Sequence, residues 1–145
     1  MADDITIRNC REAELAVVLG LWQAAGSTPS PSDTVHSLQQ LYRKDSDGIL
    51  VAEAEGRIVG TVVGGWDGWR GNIYRLAVLP DYRRRGIGRA LVEEIERRII
   101  KKGARKISIC VVNEQDTAVL FWNAMSDCGY SRDYGIVRYA KRLDV

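Results

Sequence analysis

The residues best suited to chemistry in this chain lie together: Pro80-Asp81-Tyr82-Arg83-Arg84-Arg85-Gly86-Ile87-Gly88-Arg89-Ala90-Leu91. Two glycines two apart let the backbone turn tightly and aim several N–H groups in one direction. A helix is predicted to start at Ile87, and its dipole adds partial positive charge at the same point. Arg83, Arg84, Arg85 and Arg89 surround the turn. Together these features suit a phosphate group, most naturally a pyrophosphate. Other phosphate loops fit less well. Leu91 stands where a dinucleotide fingerprint needs its third glycine, and there is no Gly-Lys-Ser/Thr of a Walker loop. The plain alternative is an ordinary helix start with solvated arginines.

Those residues must be held by the elements around them. Ile5 to Arg8 reads as a first strand. Asn9 is expected to cap a first helix, with Glu12 three residues on as in a capping box. Leu15, Val18, Leu19 and Trp22 give that helix one apolar face, and Gly26 ends it. The segment Ser27 to Ser32, with Pro29 and Pro31, is a loop. A second helix is predicted from Ser30 or Ser32 to about Asp45, carrying Val35, Leu38, Leu41 and Tyr42. Strands follow at Ile49 to Ala54, Arg57 to Gly65 and Asn72 to Leu79, with turns at Glu55-Gly56 and Trp66 to Gly71. A long helix from Ile87 to Lys102 buries Ile87, Leu91, Ile95 and Ile99, and Gly103 stops it. A strand from Lys106 to Val112, a helix from Glu114 to Met125 and a last strand from Asp133 to Arg142 complete the chain. The order β-α-α-β-β-β-α-β-α-β predicts an α/β protein (α+β by strict usage). Its hairpins favour a mostly antiparallel sheet, and the crossover helix adds one parallel pair.

A chain of 145 residues suits a single domain, with 46% hydrophobic and 28% charged residues. The formal net charge is only +2. Between Arg83 and Lys106, however, ten Arg or Lys face three Glu, which suits either an anionic ligand or a solvated helix face. Three cysteines without a C-x-x-C pair, and the single His36, argue against a zinc site or a disulfide framework. No basic leader or long apolar run is read, so a cytoplasmic protein without a membrane span is expected.

Arg-x-x-Gly-x-Gly after Leu76-Ala77-Val78-Leu79-Pro80 resembles the coenzyme A loop of the GNAT superfamily of N-acetyltransferases. Gly60-Thr61-Val62-Val63-Gly64-Gly65 and the closing Tyr139 to Leu143 are similar to small bacterial members, near the branch of ribosomal-protein N-terminal acetyltransferases. The resemblance covers nearly the whole chain and is strongest from Gly48 to Leu143. It implies a three-layer fold with a V-shaped split in its sheet, acetyl-CoA as acyl donor, no metal, and an amine acceptor of unknown identity. It implies that the backbone of Leu76, Ala77 and Val78 binds the pantetheine arm and the acetyl carbonyl, beside a bulge. The pyrophosphate would be held by Arg83, Arg84, Arg85, Gly86, Ile87, Gly88 and Arg89, and coenzyme amides by Asn113. A homodimer through the last strand is a further implication.

In the family a tyrosine on the helix after the fifth strand commonly protonates the departing thiolate. Here Phe121-Trp122-Asn123-Ala124-Met125-Ser126-Asp127-Cys128-Gly129-Tyr130 puts Trp122 or Met125 at that position, and neither can donate such a proton. The base is equally open, because Asn72 and Cys110 occupy positions where members carry Glu. Tyr74 shares a strand face with Asn72 and is the candidate proton carrier, with simple packing as the alternative. Trp66, Asp67 and Trp69 form either an acceptor wall or a sheet cap. His36 and Cys110 read as structural residues, Cys110 as part of the core. The Pro29 to Ser32 loop is expected to shape the acceptor pocket.

The leading function is therefore acetyl transfer from acetyl-CoA to a primary amine. An acyl-CoA-binding module with little catalysis is the alternative, motivated by the altered helix end. Nucleic-acid binding through the arginines ranks third, since Glu93, Glu94 and Glu96 and the small net charge oppose it.

Overall fold

The structure is a computed structural model describing residues 4–112 and 116–143. The chain divides into two compact units, residues 1–109 and 110–145.

The first unit holds a five-stranded sheet in sequential order: β1 (Thr6–Asn9), β2 (Ile49–Ala54), β3 (Arg57–Trp66), β4 (Gly71–Val78) and β5 (Ile107–Ile109). The β1–β2, β2–β3 and β3–β4 pairs are antiparallel, and β4–β5 is parallel. Glu55 and Gly56 both take left-handed φ values, as a two-residue hairpin turn needs. At the β3–β4 turn, Asp67 Oδ1 accepts the N–H groups of Trp69 and Arg70, at 2.9 and 2.8 Å. Those backbone donors hold the Asp67 carboxyl below its usual pKa. Asp67 is thus the turn's own staple.

Two helix layers sandwich this sheet. α1 (Leu15–Ala24) and α2 (Val35–Lys44) bury Leu15, Val18, Trp22 and Leu38 with Ile49, Val51, Val63 and Ala77. The opposite face takes α3 (Ile87–Lys102), because adjacent strand residues point to opposite sides. Its stripe Ile87, Leu91, Ile95 and Ile99 is buried, as its spacing predicts. The helix sits close because the strands beneath it carry glycine. A Cβ on Gly64 would run into Cγ1 of Ile95, and one on Gly71 into Cγ2 of Ile99.

Polar contacts tie the outer strand to the helices. Arg8 donates to Glu53 at 2.8 Å and to both carboxylate oxygens of Glu14 at 2.9 and 2.8 Å. The Arg8 hydrogen bond pulls the Glu14 carboxyl from 4.5 down to about 2. A depressed carboxyl stabilises the fold above its unfolded value, and that share disappears as pH falls from about 4.5 towards 2. Glu94, between Arg97 and Arg98 on α3, is lowered in the same direction to about 2. Glu14→Gln is expected to cost about 1–2 kcal/mol at pH 7 and to flatten part of the acid limb of stability. Urea midpoints of both chains at pH 7, 4.5 and 3 check this. An unchanged acid limb would mean that Glu14 is not a source of it.

The second unit contains α4 (Asp116–Ala124), continued by a 3₁₀ turn at Met125–Cys128 that ends on the left-handed Gly129. Ser126, Asp127 and Cys128 therefore lengthen the helix rather than form a loop.

Several sequence expectations are corrected. Asn9 does not cap a helix. It ends β1 opposite Leu50, and Nδ2 binds Asp47. The first helical turn is a 3₁₀ segment at Glu12–Glu14, where Glu14 rather than Glu12 receives the Arg11 N–H. Thr34 caps α2, later than Ser30 or Ser32, and Val35 is exposed. β5 stops at Ile109, and Cys110 is exposed rather than in the core. No strand forms at 133–142. There Asp133 Oδ1 accepts the Gly135 N–H at 2.9 Å and bends the chain, leaving Tyr134 and Tyr139 exposed. The element order thus closes on α4 without a sixth strand among the described residues.

Candidate coenzyme site

The site is built around one irregularity in β4. Thr61 pairs with Ala77, but Val63 pairs with Tyr74, so β4 holds one residue more than β3 at this point. That is a β-bulge, and Arg75 within it takes φ +53. A bulge bends a strand and ends regular pairing. Accordingly, β5 pairs only with Gly71, Asn72 and Ile73. The segment from Leu76 to Val78 runs beyond β5's partners, in keeping with the split that the resemblance implies.

The direction of its backbone groups follows from pairing. Leu79 donates its N–H to Val59 on β3 at 2.9 Å. Neighbouring groups alternate, so the N–H and C=O of Val78 point away from β3. Arg83 fixes this end of the strand. Its Nε donates to Val78 O and its Nη2 to Ala25 O, both at 3.0 Å. Arg83 therefore faces inward and braces the loop, while Arg84 and Arg85 are exposed.

Past Val78 a 3₁₀ turn at Pro80–Tyr82 leads into the glycine turn. Arg84 at φ +63 and Gly86 at φ +80 are both left-handed and flank Arg85. Left-handed residues in a tight turn help aim successive N–H groups into one concavity, which suits an anion. Gly86 caps α3 without a side chain, and no side-chain hydrogen bond closes that helix end. Ile87 is buried and anchors the helix, while Gly86 is exposed and Gly88 and Arg89 are half-buried. The guanidinium of Arg85 stacks over Tyr82 at 5.0 Å, and Tyr82 donates to Glu55 at 2.8 Å.

Tyr74 is 53% exposed and precedes the bulge. His36 is exposed on α2. Trp69 is exposed and lies under Arg70 at 4.1 Å. Asn113 lies outside the described residues. In the second unit, Trp122 packs edge-on against both Phe121 and Tyr130, with centroids 5.1 Å apart in each case. No group of three or more His, Cys, Asp or Glu side chains that could hold a metal occurs among the described residues.

Sequence reasoning passed over Arg75. A charged residue between Tyr74 and Leu76, in the middle of a strand, is its one signal. Its guanidinium crosses to the α1–α2 loop, donating to Thr28 O at 2.8 Å and to both oxygens of Asp33 at 2.9 and 2.7 Å.

Residues 15–129 match the model of the acetyltransferase (GNAT) family. The chain belongs to the GNAT family. An acetyltransferase of Sodalis glossinidius is 33% identical over 137 residues, covering 94% of each chain. Among solved structures, Ard1 from Thermoplasma volcanium superimposes with a TM-score of 0.74 at 23% identity, covering 97% of this chain and 86% of that one. The aminoglycoside N-acetyltransferase AAC(6')-Iy in complex with CoA gives 0.70 at 20% identity, covering 96% and 95%. At such identities these two likenesses speak for the fold.

The GNAT fold is thus present, with its mixed sheet and helices on both faces. The protein is an acetyltransferase, and acetyl-CoA is its acyl donor. The left-handed turn at the α3 N-terminus suits the donor's pyrophosphate by charge and by backbone geometry. No helix among the described residues is long and apolar enough to cross a membrane.

Proposed function

We propose that the protein acetylates a primary amine, by direct attack of the neutral amine on the acetyl-CoA thioester. The observation that carries this reading is the pairing of two features on one connection. One is the open edge of β4 beyond its bulge, and the other is the left-handed turn from Arg84 to Gly86 at the start of α3. In this reading the N–H groups from Arg84 to Arg89 hold the pyrophosphate, with Arg84 and Arg85 adding charge. The edge from Leu76 to Val78 takes the pantetheine arm. The N–H of Val78 stabilises the oxyanion that forms on the acetyl carbonyl. Arg83 acts from behind, by holding Val78 and the end of α1 in register. Asn113 is retained as a coenzyme contact and Tyr74 as the candidate proton carrier. The family match runs through both compact units, which supports treating the chain as one functional domain.

The reaction has simple needs. The amine loses a proton to a base or to ordered water, and the leaving thiolate regains one. Trp122 and Met125 have no proton to give at neutral pH, so the thiolate's proton comes from another group or from solvent. The acceptor is a protein N-terminus, a lysine or a small amine. The N-acetylation of an aminoglycoside belongs to a structural neighbour and is one chemical precedent on this fold.

The test is release of free CoA thiol from acetyl-CoA with a panel of amines: peptides with free N-termini, peptides with an internal lysine, polyamines and aminoglycosides. One class is expected to raise thiol release at least about tenfold over hydrolysis, with acetylated amine appearing in equal amount by mass spectrometry. Acetyl transfer to a hydroxyl or thiol in place of every amine would overturn the reading.

A further inference from the structure

Arg75 joins the bulged strand β4 to the α1–α2 loop. Its backbone forms the bulge beside Leu76, and a non-glycine residue at φ +53 is held there against its own steric preference. Its side chain leaves the sheet altogether. Besides the bonds to Thr28 and Asp33, the guanidinium lies over the Trp22 ring at 5.2 Å. Arg75 and Asp33 are about one-fifth exposed, so this pair is shielded compared with the exposed surface pairs. Asp33 also accepts the Ser30 N–H at 2.9 Å, which fixes the loop's own turn. The partners therefore grip the loop at both ends, Thr28 and Asp33.

The loop so gripped borders a small pocket. Leu19, Trp22, Gln23, Ser30 and Asp33 line a cavity of about 170 Å³. Trp22, which Arg75 covers, buries its indole N–H without a hydrogen-bond partner. A displacement of the bulge would reach the pocket wall directly, because the residue whose backbone forms the bulge places its guanidinium against Asp33 and Trp22.

We propose that Arg75 is a positioning residue, coupling the donor strand to the α1–α2 loop so that acetyl-CoA binding orders the acceptor pocket. This rests on the reading that the edge at Leu76–Val78 takes the acetyl-bearing arm. Occupation of that edge stiffens the bulge, and the Arg75–Asp33 pair passes the order on to residues 27–34. Neither residue touches the reacting atoms.

Hydrogen exchange of peptides covering residues 27–34, with and without saturating acetyl-CoA, tests this alongside calorimetry. In the natural chain, acetyl-CoA is expected to slow exchange of these amides about tenfold. In Asp33→Asn, which keeps an oxygen for the Ser30 N–H but loses the charge, the loop exchanges faster and no longer responds. Its acetyl-CoA affinity stays within about threefold of the natural chain, whereas a merely unfolded variant would lose binding as well. Arg75→Gln is the second variant, with the same expected loss of response. A natural loop indifferent to acetyl-CoA would overturn the proposal, and so would a full response in either variant. Failure of the natural chain to bind acetyl-CoA would appear in the calorimetry itself and would remove the donor-edge reading along with the coupling.

Discussion

Gly86→Glu is expected to weaken acetyl-CoA binding by at least about a hundredfold while leaving the protein folded. Nothing lies within 4 Å of the position a Cβ would occupy at Gly86, so space is not the obstacle. The backbone is left-handed there, at φ +80, and a side chain costs about 1–2 kcal/mol in that region. The larger effect is electrostatic. A carboxylate brought to about 4 Å from a phosphate oxygen at a protein surface is opposed by about 4 kcal/mol, which is close to a thousandfold before solvent relaxation. Gly86→Asn separates the two contributions, since asparagine tolerates the left-handed region and carries no charge. It is expected to bind within about tenfold of the natural chain. Calorimetric titration of the three chains decides the matter. Equal affinity in the natural chain and Gly86→Glu would move the pyrophosphate away from this turn.

The largest effect on stability is expected where α3 meets the sheet. Ile95 is 1% exposed and fills the space left by the missing side chain of Gly64. Ile95→Ala removes buried methylenes and leaves a cavity, at a cost of about 3–4 kcal/mol. Gly64→Ala forces a Cβ against Cγ1 of Ile95 and is expected to cost about 1–3 kcal/mol by overpacking. The two changes answer one another, since alanine at 95 has no Cγ1 for the new methyl to meet. The double variant is expected to be at least about 1 kcal/mol more stable than additivity allows. Urea unfolding of the four chains measures the cycle. Simple additivity would show that the helix moves as a body rather than packing knob into gap.

Much of this architecture is written in local patterns. The stripe Ile87, Leu91, Ile95 and Ile99 and the stop at Gly103 place α3 to the residue, because a helix of period 3.6 buried on one side leaves a strong periodic trace. The turn at Glu55-Gly56 is similarly local. The glycine turn at 86 is legible because its conformation needs glycine and its neighbours are arginines. Corrections arise where two local patterns compete. Asn9 and Glu12 mimic a capping box, yet β1 pairing with β2 claims Asn9 and moves the cap to Arg11 and Glu14. Tyr134 to Tyr139 has strand composition, but Asp133 turns the chain first.

The sequence by itself determined most helix and strand periods and the glycine turn with its charge, and its likeness to the GNAT family carried the acyl donor. Tertiary structure decided what those residues do with their side chains. Arg83 and Arg84 are adjacent and chemically identical, yet one braces Val78 and Ala25 while the other is exposed. Arg75 reaches Asp33 across 42 positions of sequence, and Thr28 across 47. The reason is physical: periodicity and turn chemistry act over a few residues of one chain segment, whereas a guanidinium bonds whatever acceptor the packing of distant segments brings within 3 Å.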